Sequence, residues 1–196
     1  MIRRLLVFLL SLPLCAAAQD RAQELLQRMT AAFRALPAYE VRFEVPTGGD
    51  AVAGRFAVEG DSYYIALGDA EVFGTADLRY EVDGRRREVT VAPVEHTSQN
   101  LLSDPVHAFD FVSAQYAVSL AGEEDGRVRL RLQPHERREA AIVLTLEEAT
   151  ALPAAIRYEA GEEAVDIHIR SVERLATPLK RFDRKAFADY EWIDFR

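Results

Sequence analysis

The chain has 196 residues, with 32 acidic and 24 basic side chains, a formal charge of −8 and a single cysteine. An acidic balance argues against nucleic acid, or an anionic membrane surface, as a partner. One cysteine leaves no intrachain disulfide and no multi-thiolate metal site.

The predicted elements begin with Met1-Ile2-Arg3-Arg4, a short positive stretch, and the apolar run Leu5–Leu14, too short to span a bilayer. Ala16-Ala17-Ala18 supplies the small residues that a signal peptidase reads. Residues 1–18 are therefore expected to be a signal peptide, cleaved before Gln19. Cys15 raises a second reading, an acylated lipoprotein, which the bulky Leu14 before it disfavours. Cleavage removes Arg3, Arg4 and Cys15, taking the formal charge from −8 to −10. A single exported, soluble domain over residues 19–196 is expected.

Asp20 is placed to cap a helix, with Gln23 three residues on for the return bond. Ala22, Leu25, Leu26, Met29, Phe33 and Leu36 recur at helical spacing, and Pro37 ends the run. From Tyr39 the period becomes two. Val41, Phe43 and Val45 alternate with Arg42 and Glu44, followed by the loop Pro46–Asp50. Phe56 and Val58, then Tyr63, Ile65 and Leu67, then Glu71-Val72-Phe73, then Leu78, Tyr80 and Val82, and Val89 and Val91 continue the pattern. Gly60-Asp61, Gly68-Asp69 and Asp83-Gly84 separate these runs, the last as a tight hairpin signal.

The meander breaks between Ala92 and Ala114, where Ser103-Asp104-Pro105 opens a short helix toward Phe109. Strands resume over Tyr116–Leu120, Val128–Leu132, Ile142–Leu146, Ala155–Tyr158 and Val165–Ile169. Turns are expected at Glu123–Gly126 and Ala160–Glu162, and a turn around Phe187 precedes a closing strand in Tyr190–Arg196. Ten to twelve strands in one domain must curl, because open sheets leave edges and an uncovered apolar face. The expected class is mainly β: a curled, incomplete antiparallel barrel with a long N-terminal helix and a short second one.

No chemistry stands out. His96, His107, His135 and His168 have no metal-binding spacing, and no G-x-S-x-G marks a nucleophile. Carboxylate pairs such as Glu123-Glu124 and Glu162-Glu163 fall in turns, where charge is solvated. Arg85-Arg86-Arg87 follows a turn, either as a solubility feature or as a docking patch. No metal or cofactor is expected. What stands out is the apolar supply of Phe43, Phe56, Tyr63, Tyr64, Ile65, Phe73, Tyr80, Phe109 and Phe111, on a sheet with few helices to cover it.

The run Gly54-x-Phe56-x-Val58-x-Gly60-Asp61-x-Tyr63, then Glu71-Val72, Glu88-Val89-x-Val91, Leu102-Ser103-Asp104-Pro105, Leu152-Pro153 and the ending Phe182-Asp183 … Tyr190-Glu191-x-Ile193-Asp194-Phe195-Arg196 resembles the LolA-like lipoprotein carriers. The likeness is closest to the versions found in Bacteroidetes-type bacteria. The chain departs from the family pattern at Thr75-Ala76 and Glu59-Gly60-Asp61. The resemblance implies helices over an apolar cavity in an incomplete barrel, a periplasmic location and no catalysis. It implies acylated lipoproteins as cargo, received by a monomer from an inner-membrane ABC-type exporter and passed toward an outer-membrane acceptor. Alternation then assigns Val41, Phe43, Val45, Phe56, Val58, Tyr63, Ile65 and Tyr80 to the cavity, and Leu101, Leu102 and Phe109 to its lid. A sensor of the same architecture, a carrier of another lipid and a hydrolase remain as alternatives. Trp192 is expected to be structural.

Overall fold

The computed structural model describes residues 12–94, 115–136 and 140–196, with side chains from residue 19 onward. Leu101, Leu102, Phe109 and the helix expected after Ser103 lie outside the described residues. Helix α1 (Leu12–Arg34) comes first. The strands are β1 (Ala38–Pro46), β2 (Ala51–Glu59), β3 (Ser62–Leu67), β4 (Ala70–Gly74), β5 (Leu78–Asp83), β6 (Glu88–Pro93), β7 (Tyr116–Glu124), β8 (Arg127–Pro134), β9 (Ala141–Glu147), β10 (Pro153–Ala160), β11 (Glu163–Arg174) and β12 (Glu191–Asp194). They form one sheet in the order β12-β6-β5-β4-β3-β2-β1-β11-β10-β9-β8-β7. The protein is mainly β, and its twelve described strands are the upper end of the count read from the sequence.

Two local expectations change. Helix α1 does not start at Asp20 but runs on from Leu12, because Ala16-Ala17-Ala18-Gln19 contains nothing that stops a helix. The last strand is not antiparallel: β12 pairs parallel with β6, Trp192 facing Val89. A hairpin cannot deliver a parallel strand, and the chain between β11 and β12 supplies the long crossover that one requires.

The chain divides into two compact units, residues 1–33 with 113–165, and residues 34–112 with 166–196. In the first, α1 buries Ala22, Leu25, Leu26, Met29 and Phe33, the stripe that its spacing predicted. Strands β8 and β9 bury Val128, Leu130, Leu132, Ile142, Leu144 and Leu146 and turn Arg127 and Arg129 outward. Arg21 ties the helix to Glu123 at 2.9 Å and Glu148 at 2.6 Å, and Arg28 donates to the carbonyls of Glu148 and Ala149. Exposed pairs of this kind are worth at most about 1 kcal/mol each, so apolar burial carries most of the helix's attachment. The β7–β8 hairpin turns on Asp125-Gly126, both with positive φ (52° and 74°), as a two-residue type I′ turn requires.

In the second unit the Asp83-Gly84 turn is longer than a two-residue hairpin. Asp83 Oδ1 accepts the N–H groups of Arg85 (2.9 Å) and Arg86 (3.0 Å), and Arg87 takes the left-handed position at φ 55°. Gly84 is required for another reason: a Cβ there would lie 2.8 Å from the Asp69 carbonyl oxygen.

Ala57, Tyr64, Phe73, Val82, Val89, Val91 and Leu179 form a buried cluster. Tyr80, Leu175, Phe182, Phe187, Tyr190 and Trp192 pack against it, so the segment after β11 covers one face of β2–β6. Phe182 is its centre. Its ring stacks on Tyr80 at 4.0 Å between centroids, lies 5.5 Å from both Phe73 and Phe187, and meets Trp192 edge-on at 5.8 Å. A short 3-10 helix at Arg184–Phe187, capped by Asp183, presents Phe187, whose carbonyl accepts the Trp192 indole N–H. Lys180 bonds Glu71 and reaches the Tyr64 hydroxyl. Burial pulls the Lys180 ammonium pKa down, but the hydrogen bonds to Glu71 and Tyr64 outweigh it and leave it raised. This contact is therefore complete below the ordinary ammonium pKa and is lost only as pH climbs through the raised value.

Phe182→Ala should lower unfolding stability by roughly 2–3 kcal/mol, less than a fully buried Phe because Phe182 is half-buried. Removing Tyr190–Arg196 should also depress the urea midpoint. An unchanged midpoint in both would mean that the terminal segment is not holding this face.

Candidate functional site

The register divides the side chains of β1–β5 between two faces. Val41 stands opposite Phe56, and Phe56 opposite Ile65. Tyr39 faces Val58 and Val58 faces Tyr63, while Phe43 faces Gly54 and Val45 faces Val52. Directly opposed residues of an antiparallel pair point the same way. Seven of the residues assigned to the cavity from alternation, Val41, Phe43, Val45, Phe56, Val58, Tyr63 and Ile65, thus share one face. Val41, Phe43, Val58, Tyr63 and Ile65 are buried, and Val45 and Phe56 are half-buried.

Tyr80 is not among them. It stands opposite Phe73 and Val91, on the second face, beneath Phe182. The Thr75–Leu78 turn decides this: Thr75 N–H donates to the Leu78 carbonyl at 2.9 Å and its Oγ1 accepts the Leu78 N–H at 3.0 Å. That connection brings Tyr80 into register with Phe73 rather than with Val72 or Gly74. Alternation within β5 alone carries no information about the turn before it.

Glycines shape the first face. A Cβ on Gly54 would sit 2.4 Å from the Phe43 ring, and one on Gly74 would sit 2.0 Å from the Tyr63 ring. Each aromatic therefore lies flat across its neighbour strand, occupying space that any other residue would fill. A glycine inside a strand pattern is the signal that could have located these platforms. Leu67 and Val72 extend the face, opposite Gly54 and Ile65. Tyr39, also on it, has its ring edge-on to Phe56 at 5.7 Å. Burial pushes the Tyr39 phenol well above its ordinary pKa, so the hydroxyl stays neutral.

Arg79 also belongs to this face, opposite Gly74. Its side chain is only 18% exposed, and its Nε lies 2.7 Å from the carboxylate of Glu81, which is 52% exposed. Arg79 is not among the residues assigned to the cavity from alternation, although its parity, opposite to that of Tyr80, was visible in the sequence.

On the second face, an open depression of about 530 Å³ is rimmed by Arg42, Glu44, Arg55 and Arg170 over Ala53 and Ala66. Arg42 lies 2.8 Å and Arg55 3.6 Å from Glu40, and Arg170 lies 2.5 Å from Glu44. The hydrogen bond from Arg170 holds the Glu44 carboxyl below the usual range. Arg42 and Arg55 share one carboxylate and Arg170 has its own, so most of the rim's positive charge is offset within it. Arg85, Arg86 and Arg87 are matched likewise, by Asp69, Glu88 and Asp189. Among the described residues no group of His, Cys, Asp and Glu could hold a metal ion, and no helix is long and apolar enough to cross a membrane.

No family model and no curated protein matches the chain. Solved structures do. An uncharacterized conserved protein from Thermus thermophilus is 11% identical over 89% of this chain and 99% of its own, with a TM-score of 0.57. The MucA/MucB complex of Pseudomonas aeruginosa matches at 18% identity and a TM-score of 0.50, covering 82% of this chain and 59% of that one. This chain thus spans little more than half the length of that neighbour. A LolA superfamily protein from Nitrosomonas europaea is 10% identical over 85% of this chain and 96% of its own, with a TM-score of 0.41. What the chain shares with the first two is the fold.

If the Tyr63 ring occupies the space above Gly74, Gly74→Ala should cost about 1–3 kcal/mol in urea unfolding. Tyr63→Ala should abolish most of that extra cost in a double-mutant cycle. Additive effects would refute the close approach.

Proposed function

We propose that the protein is a LolA-like periplasmic carrier that holds the acyl chains of a lipoprotein, or of another envelope lipid, on the first face of β1–β4. The observation that carries this reading is the unbroken row structure of that face: Val41, Phe43, Phe56, Val58, Tyr63 and Ile65 in register across three strands, flattened by Gly54 and Gly74. Such a face is chemically suited to hydrocarbon, and the function proposed for it is binding. Each buried methylene contributes about 0.8 kcal/mol, so multiply acylated cargo cannot cross water unaided. Retention must also be weaker than partition into a membrane, or the cargo would never leave.

On this reading the chain is cleaved before Gln19, acts as a monomer, receives cargo from an inner-membrane ABC-type exporter and delivers it to an outer-membrane acceptor. A second reading, a lipid sensor with a protein partner, draws on the fold shared with MucB, which is solved in complex with MucA. Affinity capture separates the two: exporter components support the carrier, and a regulatory membrane protein supports the sensor.

Mass spectrometry of protein purified from the cell envelope should find bound acylated molecules, and N-terminal sequencing should begin at Gln19. Phe56→Ser should weaken binding of a fluorescent acyl probe by about tenfold or more, from the loss of roughly 1.5–3 kcal/mol of apolar contact. Tyr80→Ser, on the second face, should leave probe affinity unchanged even if it lowers stability. Equal losses in the two variants, or an empty wild-type protein that ignores the probe, would sink the proposal.

A further inference from the structure

We infer that the open depression on the second face is a binding site for a phosphomonoester, clamped between the guanidinium groups of Arg42 and Arg55. The site lies away from the first face and is independent of the carrier reading. Arg42 and Arg55 are direct cross-strand partners in β1 and β2. Residues so paired have Cβ atoms about 4.5–5.5 Å apart, and like charges directly opposed destabilise a sheet. Neither neighbour in the row, Ser171 beside Arg42 or Ala66 beside Arg55, carries a charge that would relieve the repulsion.

Relief from elsewhere in the chain is incomplete. Glu40 accepts from Arg42 Nε at 2.8 Å but lies 3.6 Å from Arg55, too far for a hydrogen bond. Among the described residues, Arg55 and the terminal nitrogens of Arg42 make no hydrogen bond. Glu173, cross-strand from Glu40, attracts Arg42 but is not part of the depression's lining. Arg170 completes the cationic lining and is held by Glu44 at 2.5 Å. Three arginines against Glu40 and Glu44 leave one positive charge over at the Arg42–Arg55 pair, in a chain whose formal charge is −8.

Both guanidinium groups are exposed and open to a ligand. Arg55 lies 5.0 Å over the Tyr64 ring, which is itself fixed through its hydroxyl by Glu71 and Lys180, so the Arg55 fork is oriented in advance. The floor of Ala53, Ala66 and Gly68 carries almost no side chain, and the space of about 530 Å³ above it suits a small ligand. Two forks on adjacent strands approach an anion from different directions. A phosphomonoester meets them with three oxygens arranged in space, whereas the two oxygens of a carboxylate lie in one plane. The rest of the volume admits the polar body of the ester.

The test titrates the purified protein at low ionic strength with glycerol 3-phosphate, glycerate and glycerol, and follows the Gly54 and Gly68 amide signals by NMR. Glycerol 3-phosphate should bind saturably and at least tenfold more tightly than glycerate, and glycerol should not bind. Arg42→Met and Arg55→Met should each weaken the phosphate ester at least tenfold, with the fold and the affinity for the fluorescent acyl probe unchanged. Arg85→Met, which removes an exposed arginine paired with Asp69 outside the depression, should alter binding less than twofold. Cosedimentation with phosphatidylcholine vesicles, with and without phosphatidic acid, identifies the source: retention by phosphatidic acid that is lost in Arg55→Met marks a lipid head group, and no retention marks a soluble ester. Equal affinities for glycerate and glycerol 3-phosphate overturn the phosphate assignment. Equal losses in Arg85→Met and Arg55→Met, or vesicle retention undiminished in Arg55→Met, overturn the clamp. Absence of binding to both the ester and the vesicles overturns the site, while the acyl probe alone judges the carrier reading.

Discussion

The constraint on which the second unit depends is that its central strand is apolar on both sides. Tyr63, Tyr64 and Ile65 are consecutive in β3, and all three are buried. Successive strand residues point to opposite faces, so no single layer of cover can keep this strand from water. The same holds where Ala57 adjoins Val58 in β2. An antiparallel meander normally leaves one face wet, with polar residues on it. Here the face of Tyr64, Phe73, Val82, Val89 and Val91 represents on the order of ten kcal/mol of burial, comparable with the whole net stability of a domain.

That constraint explains the end of the chain. Leu179, Phe182, Phe187, Tyr190 and Trp192 form an apolar cover laid across the second face, and β12 then adds to β6 in the parallel sense that a crossing path imposes. Lys180 and Arg184 lie over aromatic rings of this layer, their stems adding cover while their charges remain at the rim. Aromatic residues so close to a terminus are thus a structural layer rather than a ligand site.

The first face is withdrawn from water as well: Val41, Phe43, Val58, Tyr63 and Ile65 are buried. Its relief comes from pairs, Phe43 over Gly54 and Tyr63 over Gly74, in which a large ring is accepted because its partner has no side chain. Sorting the aromatics by face is what separates those of the first face from those beneath the C-terminal cover. Tyr63 and Tyr64 are neighbours in sequence and belong to different layers.

Local pattern was enough to read the mainly-β class, the location of most strands, the buried stripe of α1 and seven members of the first face. Periodicity within an element depends only on backbone geometry, and these elements obey it. The side of the sheet on which Tyr80 falls, the inward position of Arg79 and the parallel sense of β12 were beyond that reading. Each depends on how one strand is registered against the next, through the Thr75–Leu78 turn or through the crossover ahead of Glu191. Sequence alternation establishes that two sets of side chains diverge along a strand. Only the tertiary pairing of strands decides which set meets the chain's own C-terminal cover and which forms the opposite face.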